Sequence, residues 1–360
     1  MRRHDPDAAA PGEPSGGIAD VVRFSGVMTA AWQRELGDRG FPDRDGGAFV
    51  FEPEVALRLD QDRELRARFG FAAGDGINLG SAFAAASPFA GDLESTVSDV
   101  NGRGRDTLLI GEYSQQFATA AAGRLRLSAG VLDATEFLDE NAYANDELHQ
   151  FMNSAFVNDP LSIVPSYDAG AALGWDHDGW SAAVVAMRVG SNGDGQSYSF
   201  YGGQVARRCG EGATAGHLRA TITGTSADFR DRADSRDEAR FGVSLSADRA
   251  LGDCLGVFAR LGWQHDAAAV DYDGAVSGGL AVCGRAWGRE HDAIGLGLAW
   301  LDGGNGQYRS ARIGELFAAF ALGDGMTLTG DVQYADENIA ANAGPSPRAW
   351  TFGIRMTLDF

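Results

Sequence analysis

The sequence predicts an all-β fold, a transmembrane antiparallel β-barrel of about sixteen strands with short turns at one end and long loops at the other. Three observations carry this. The first is the C-terminus, where Trp350, Phe352, Ile354, Met356, Leu358 and Phe360 alternate with Thr351, Gly353, Arg355, Thr357 and Asp359. This period-2 strand, apolar on one face and polar on the other, runs to the last residue. Soluble proteins rarely leave such an edge exposed, because it templates aggregation. In a closed barrel the last strand pairs with the first, and its apolar face meets lipid. The second is recurrence of alternating segments, each near the roughly 9–11 residues that cross a bilayer at a tilt. The third is alternation of short and long connectors, which separates an outer-membrane barrel from a soluble sandwich.

In order, the predicted strands are 18–31, 48–60, 63–73, 105–120, 122–132, 167–176, 180–190, 197–208, 215–228, 239–251, 253–266, 276–288, 291–302, 312–322, 326–337 and 348–360. Tight turns fall at Asp60-Gln61-Asp62, Ala121-Ala122, Asp176 to Gly179, Gly252-Asp253 and Gly323-Asp324-Gly325. Residues 32–47, 74–104, 133–166, 229–238, 267–275, 303–311 and 338–347 form longer connectors. Only 209–214 is longer than a short turn wants. Both termini then fall at the periplasmic end. Trp263, Trp300 and Trp350 sit at outer strand ends on the lipid phase, with Phe360 and Trp175 at the other end, as candidate aromatic girdles.

Residues 1–17 contain Arg, Asp and Pro and no apolar h-region. They are read as a flexible N-terminal periplasmic segment before a barrel over 18–360, on a mature chain whose export signal has been removed. No run approaches the roughly 18–20 apolar residues of a membrane helix, which says nothing against strands that dilute their hydrophobicity by alternation. Gly is abundant at 50 and Pro scarce at 10, a balance that suits many strands and tight turns.

The net charge of −20 argues against a nucleic-acid binder. Acids concentrate in loops such as Asp228 to Asp234, as a solvated surface or as bridges to divalent ions at an anionic membrane face. The three cysteines, Cys209, Cys254 and Cys283, have no zinc spacing. At most one disulfide fits, which an oxidising compartment permits, and the sequence does not choose the pair. No metal or cofactor is expected.

Strand phase assigns faces. Phe49, Phe51, Val55, Leu57 and Leu59 face lipid, whereas Glu52, Glu54, Arg58 and Asp60 face in. Leu65, Ala67, Phe69 and Phe71 face out, with Glu64, Arg66 and Arg68 inside. Leu109, Tyr113 and Phe117 face out, with Glu112, Ser114 and Gln116 inside. Leu125, Leu127 and Val131 face out, with Arg124, Arg126 and Ser128 inside. Four consecutive strands thus place arginines and carboxylates on one wall of a wet lumen. Guanidinium forks donate to sugar hydroxyls and carboxylates accept from them; the same groups could equally form a ladder that only holds the wall. Arg188, Arg219, Arg260 and Arg355 are inward by the same argument.

In the connector after the fifth strand, Asp146 starts a helical pattern, with Leu148, Phe151, Met152, Ala155 and Phe156 at spacings of three and four. A short amphipathic helix there suits a third loop folded into the pore. The run Leu127 to Asp133, with Glu136-Phe137, Asp139, Asn141, Tyr143 to Asp146 and Gln150 to Asn153, resembles carbohydrate-selective porins of the OprB type. Tyr334, Asn342 to Pro345, Phe352 to Arg355 and terminal Phe360 are similar to that family's end. The middle matches only in strand rhythm, and the chain departs by being short and having three cysteines.

The resemblance implies a sixteen-strand barrel in a bacterial outer membrane that passes mono- or small oligosaccharides by diffusion, in contact with outer-membrane lipid and lipopolysaccharide. Its substrate would meet a lumen lined by Arg58, Arg66, Arg68, Glu112, Arg124 and Arg126. Phe360 would present the last strand to the barrel assembly machinery. Asp133, Asn141, Asn145, Asp146 and Asn153 are expected to cap and pin the pore loop, with direct sugar contact their other open role.

An enzyme is not expected. His4, His149, His177, His217, His265 and His291 form no i,i+4 metal pair and adjoin no serine elbow. His217 shares the inward phase with Arg219. Gly190 to Gly195 lacks the Lys and following helix of a phosphate loop and reads as an outer loop. A polysaccharide-export barrel, a barrel enzyme acting on lipid or glycan at the rim, and a soluble lectin are the alternatives.

Overall fold

The computed structural model describes residues 21–360 apart from 82, 84, 85, 120–122, 192, 193 and 342. The expected N-terminal segment 1–17, the first predicted strand's opening residues, the Ala121-Ala122 turn and part of the Gly190 to Gly195 loop lie outside them. So does Asn342.

Sixteen antiparallel strands follow one another around a closed ring: β1 (Val22–Asp38), β2 (Arg44–Arg58), β3 (Arg63–Phe69, resuming at Phe71–Ala73), β4 (Leu108–Thr119), β5 (Gly123–Leu132), β6 (Asp168–His177), β7 (Trp180–Val189), β8 (Tyr198–Cys209), β9 (Gly216–Thr225), β10 (Phe241–Leu251), β11 (Leu255–Gln264), β12 (Tyr272–Cys283), β13 (Ala293–Gly303), β14 (Tyr308–Gly323), β15 (Met326–Ile339) and β16 (Arg348–Asp359). Each strand pairs with the next, and β16 pairs with β1 from Val27↔Asp359 to Asp38↔Arg348. Among the described residues no edge strand is left, so the ladders pair within the ring rather than with water. A small ribbon, Phe229–Arg230 with Asp237–Glu238, stands in the connector between β9 and β10.

The period-2 pattern maps onto two surfaces. Trp350, Phe352, Ile354 and Met356 are exposed on the outer face of β16, while Thr351, Arg355 and Thr357 are buried inside. On β1, Trp32 and Leu36 face out and Thr29, Gln33 and Glu35 face in. Trp263, Trp300, Trp350 and Phe360 are all exposed, as a girdle requires, whereas Trp175 is half-buried.

One end carries short turns and both described termini; the other carries the loops, of which the longest are L2 (74–107) and L3 (133–167). The first long connector, expected over 32–47, shrinks to 39–43 because Trp32 to Glu35 and Arg44 to Gly47 continue the β1–β2 ladder and Leu36 to Asp38 pair with β16. At the short-turn end the connector between β12 and β13 is longer than expected and contains a 3-10 turn, Gly284–Trp287. Cys254 and Cys283 form a disulfide there, and Cys209 is free.

L3 turns into the barrel and lies along its wall. Phe151 meets Phe156, Phe258 of β11 and Phe317 of β14 at centroid distances of 5.1, 5.6 and 5.0 Å. Such close approach needs glycine on the inner wall: a Cβ at Gly256 would lie 2.0 Å from the Tyr143 ring, and one at Gly297 2.9 Å from Phe156. The short amphipathic helix expected to start at Asp146 and carry Leu148, Phe151, Met152, Ala155 and Phe156 on one face does not form as one element. The loop has one 3-10 turn, Ala134–Glu136, and one helical turn, Ser154–Val157. The helix-like spacing has another cause. Leu148 and Met152 pack with Phe89 and Leu93 of L2, whereas Phe151, Ala155 and Phe156 pack on the β11–β14 wall. The segment is apolar on two sides because it separates two surfaces.

Two phase assignments are also corrected. Leu109, expected to face lipid, is fully buried. A register shift between Arg68 and Phe69 leaves it as an extra residue on β4, packed with Val97 and Val100 of L2. Arg188, expected inside, shares the outward face of β7 with the exposed Val184, and it donates to Ser197 and Ser199. The inner face of β7 is apolar because L3 covers it: Val185, Met187 and Val189 pack with Leu132 and Leu138.

Candidate functional site

The inner wall of β2–β5 carries the charged array. Glu54 comes from β2, Arg66 and Arg68 from β3, Glu112 from β4 and Arg126 from β5. The antiparallel register sets Glu54 opposite Arg68 and Arg66 opposite Glu112. Arg66 donates from Nε and Nη2 to Glu112 Oε2 at 3.1 and 2.6 Å, and from Nη1 to Glu136 Oε1 at 3.0 Å. Arg68 donates through Nε to Glu54 at 3.0 Å and pairs with Glu136 at 3.1 Å. Arg126 closes the row on Glu112 Oε1 at 3.0 Å. Glu136 comes from the start of L3, so the loop supplies the carboxylate that ties the two β3 arginines together.

Four of the six expected lining residues, Arg66, Arg68, Glu112 and Arg126, thus form one network. Arg58 and Arg124 stand apart at the short-turn end, both exposed. Arg58 faces Glu64 and Arg124 faces Asp176 across their ladders.

Of the five expected loop residues, Asp133, Asn141, Asp146 and Asn153 make side-chain hydrogen bonds within the loop or to the barrel, and Asn145 bonds through its backbone. Asp133 accepts from Thr135 and Ser166. Asn141 donates to Ser246 of β10 at 3.1 Å. Asn145 N–H donates to Gln150 Oε1 at 2.9 Å. Asp146 caps its turn by accepting from the backbone N–H groups of Leu148 and His149, both at 2.9 Å. Asn153 caps Ser154–Val157 and donates to Gln333 of β15 at 2.9 Å.

The barrel answers with groups of its own. Arg260 of β11, inward as expected, donates to the carbonyls of Phe156 (2.8 Å) and Ala144 (2.7 Å) and pairs with Asp139 at 3.3 Å. Arg355 of β16 donates to the carbonyls of Glu147 and Gln150, and Thr357 to that of Leu148. Glu315 of β14 accepts from the backbone N–H groups of Met152 and Asn153 at 2.6 and 2.9 Å. Arg219, also inward, pairs with Asp248 beside His217.

Sequence reasoning missed the second inserted loop. L2 runs beside L3: Ala90 N–H donates to Met152 O at 2.8 Å and Ser154 N–H to Ser87 O at 3.0 Å. Gln33 of β1 and Gln333 both donate to Pro88 O. Phe89 and Leu93, with Ile77, Val97 and Val100 in the same long loop, are more apolar residues than a solvated loop holds, and they are the signal that could have found it.

Between L2 and L3 lies a cavity of about 620 Å³ lined by Asp92, Asp133, Glu147, Asp159, Asn158 and Tyr167 among others. Burial pushes the Asp92 carboxyl up to about 6; the Tyr167 hydroxyl that donates to it opposes this, and the charge of Asp133 adds to it. Burial and the Asp139 charge push Asp159 to about 6. Burial and Asp146 hold Glu147 well above the usual carboxylate range. At the tip of L3, burial disfavours the His149 imidazolium. The carboxylates of Asp146 and Asp359, at 2.9 and 3.1 Å, more than offset it and push the histidine up to about 10.

A family model described as carbohydrate-selective porin, OprB family, matches residues 63–360. The chain belongs to the OprB family. A protein of Aquifex aeolicus (strain VF5) described only as uncharacterized is 30% identical over 251 residues, 69% of this chain and 70% of that one. Among solved structures, the barrel is similar to the high-pH structure of Pseudomonas putida OprB, with a TM-score of 0.74 at 15% identity over 95% of both chains. It is also similar to a mutant of Rh. blastica porin, with a TM-score of 0.56 at 14% identity over 94% of this chain and 100% of the other. At these identities the structural likeness speaks for the fold. This OprB-family barrel is a carbohydrate-selective porin by family, and family and fold together imply an outer-membrane protein.

Proposed function

We propose that the barrel passes mono- and small oligosaccharides down their concentration gradient, with the Glu54–Arg68–Glu136–Arg66–Glu112–Arg126 row as the polar wall that orients them. The observation that carries this is the arginine pair of β3, held in fixed forks by three carboxylates on the inner face of the barrel, with both guanidinium groups partly exposed. Planar guanidinium groups donate to sugar hydroxyls in fixed directions, and the carboxylates accept in return. Each contact is weak and several follow one another, so a solute can both enter and leave. L3, clamped by Arg260, Arg355 and Glu315, sets the size limit. The long loops then face outward among lipopolysaccharide, the short turns face the periplasm, and Phe360 offers the last strand to barrel assembly.

L2 and L3 together occupy lumen that a threaded polymer would need, which favours small solutes over polysaccharide export. Liposome swelling with a sugar size series tests the reading. Monosaccharides are expected to enter fastest, with rates falling steeply from di- to trisaccharides. Rates that are equal across the series, or that do not change on Arg66→Ala or Arg68→Ala, would count against it.

A further inference from the structure

The row on the charged wall is electrically neutral: Arg66, Arg68 and Arg126 balance Glu54, Glu112 and Glu136. A second set of carboxylates has no such balance. Glu52 of β2 is only 8% exposed, and its side chain has no hydrogen-bond or ion-pair partner among the described residues. It stands within electrostatic reach of Asp92 of L2 and of Asp133 and Asp146 of L3, with the Arg68 charge opposing theirs. Asp92 has one side-chain partner, the Tyr167 hydroxyl at 2.5 Å. Among the described residues the Glu147 side chain has none beyond its own backbone N–H. Asp92, Asp133 and Glu147 open on the cavity between L2 and L3, and Asp159 lines it further along.

The other lining groups are of a different kind. Ser87, Thr96, Ser162 and Ser166 offer hydroxyls, and the buried Asn158 Nδ2 has no acceptor among the described residues. The volume, about 620 Å³, lies inside the roughly 300–1,000 Å³ range of small-molecule sites. Among the described residues no group of three or more His, Cys, Asp or Glu is arranged to hold a metal ion. A cleft with one sign of charge and low-dielectric walls gathers the opposite charge. Its hydroxyl and amide lining calls for a ligand rich in hydroxyls.

We propose that this cavity is a subsite for a protonated amino sugar, whose ammonium group meets Asp92 and Glu147 within electrostatic reach of Glu52, and whose hydroxyls meet Asn158 and the serine hydroxyls. It deepens the proposed sugar conduction and rests on it. The crowding of acids supports it: burial and neighbouring acid charge raise both Asp92 and Glu147. A cation among them relieves that repulsion, while Arg68, Arg355 and the His149–Asp146 pair supply the opposing fixed charges nearby.

The test is swelling of proteoliposomes in glucose, glucosamine or glucuronate at equal osmolarity, in wild type and in the variants Asp92→Asn, Glu147→Gln and Glu52→Gln. Folded content is checked by heat-modifiable migration. Glu147 and Glu52 lose no side-chain partner on substitution, so at least two variants are expected to fold. Glucosamine is expected to enter several-fold faster than glucuronate, and the ratio to fall toward one in the variants. Equal entry of the two charged sugars while glucose enters normally would overturn the subsite and leave the conduit standing. A ratio untouched by all three substitutions would do the same. Failure of every sugar to enter would sink both.

Discussion

Gly26 and Phe360 exchange both of their backbone hydrogen bonds: Gly26 N–H donates to Phe360 O at 3.0 Å, and Phe360 N–H donates to Gly26 O at 3.1 Å. The ring closes on the chain's final residue. The Phe360 side chain continues the seam on the lipid face, with ring centroids 5.7 Å from Phe24 and 5.9 Å from Phe51. A Cβ at position 26 would lie 2.6 Å from Glu52 O and 2.7 Å from Phe360 Cζ. The ring end can yield, but the backbone oxygen cannot without moving β2. Gly26→Ala is therefore expected to destabilise the barrel by about 1–3 kcal/mol, the usual cost of overpacking. A lower urea midpoint for loss of heat-modifiable migration would register it; an unchanged midpoint would show that the seam is slack.

Arg66 holds two carboxylates at once, and one of them, Glu112, is 2% exposed. Arg66→Met leaves Glu136 with Arg68 and Glu112 with Arg126. Each carboxylate keeps one partner, so the expected loss is about 1–3 kcal/mol, the cost of an incompletely satisfied polar group. Adding Glu112→Gln is expected to return part of that loss, because the pair acts as a unit. Strictly additive losses in a double-mutant cycle would mean that the row is a set of independent contacts.

Arg260 is the central clamp on L3. Its guanidinium reaches carbonyls on both sides of the loop's fold, Ala144 and Phe156, and pairs with the buried Asp139. Arg260→Met strands that carboxylate, and breaking a buried pair costs about 3–5 kcal/mol. The loop is then expected to leave the wall. Planar-bilayer recordings should show noisier current and a larger sugar cutoff than wild type. A quiet channel with the original cutoff would mean that Arg355, Thr357 and Glu315 hold L3 unaided.

The barrel is legible in the sequence because lipid outside and water inside impose period 2 on every strand. Trp350 to Phe360 shows it most plainly, and phase alone finds Arg66, Arg68, Glu112 and Arg126. Phase fails where the inner face is not wet. On β7 the loop covers Val185 and Met187, so the apolar side points inward and Arg188 points out. It fails again at Leu109, where an extra residue changes the side a chain faces. Loop insertion has no period at all. Glu136 joins the arginines only through the path of L3, and L2 enters through the contacts of Phe89 and Leu93. These are long-range choices that local spacing does not encode.

His149 ties the tip of L3 to the last strand, and the tie depends on its proton. Asp146 and Asp359 raise its folded pKa to about 10 against an ordinary value of 6.5. The group binds its proton more tightly folded than unfolded, so its contribution is whole below about pH 6.5. It declines as pH rises and is gone once pH passes about 10. Burial pushes the Asp146 carboxyl up, but donation and charge from His149, the Leu148 N–H and the Arg355 charge together outweigh it and hold Asp146 below the usual carboxylate range, so it stays ionised across that window. Wild type is therefore expected to have a higher urea midpoint than His149→Gln at pH 6.5, with the two curves converging toward pH 10. Because the imidazole is partly exposed, the gap should also shrink with added salt. Curves that stay parallel from neutral to alkaline pH would mean that the histidine packs there without its charge mattering.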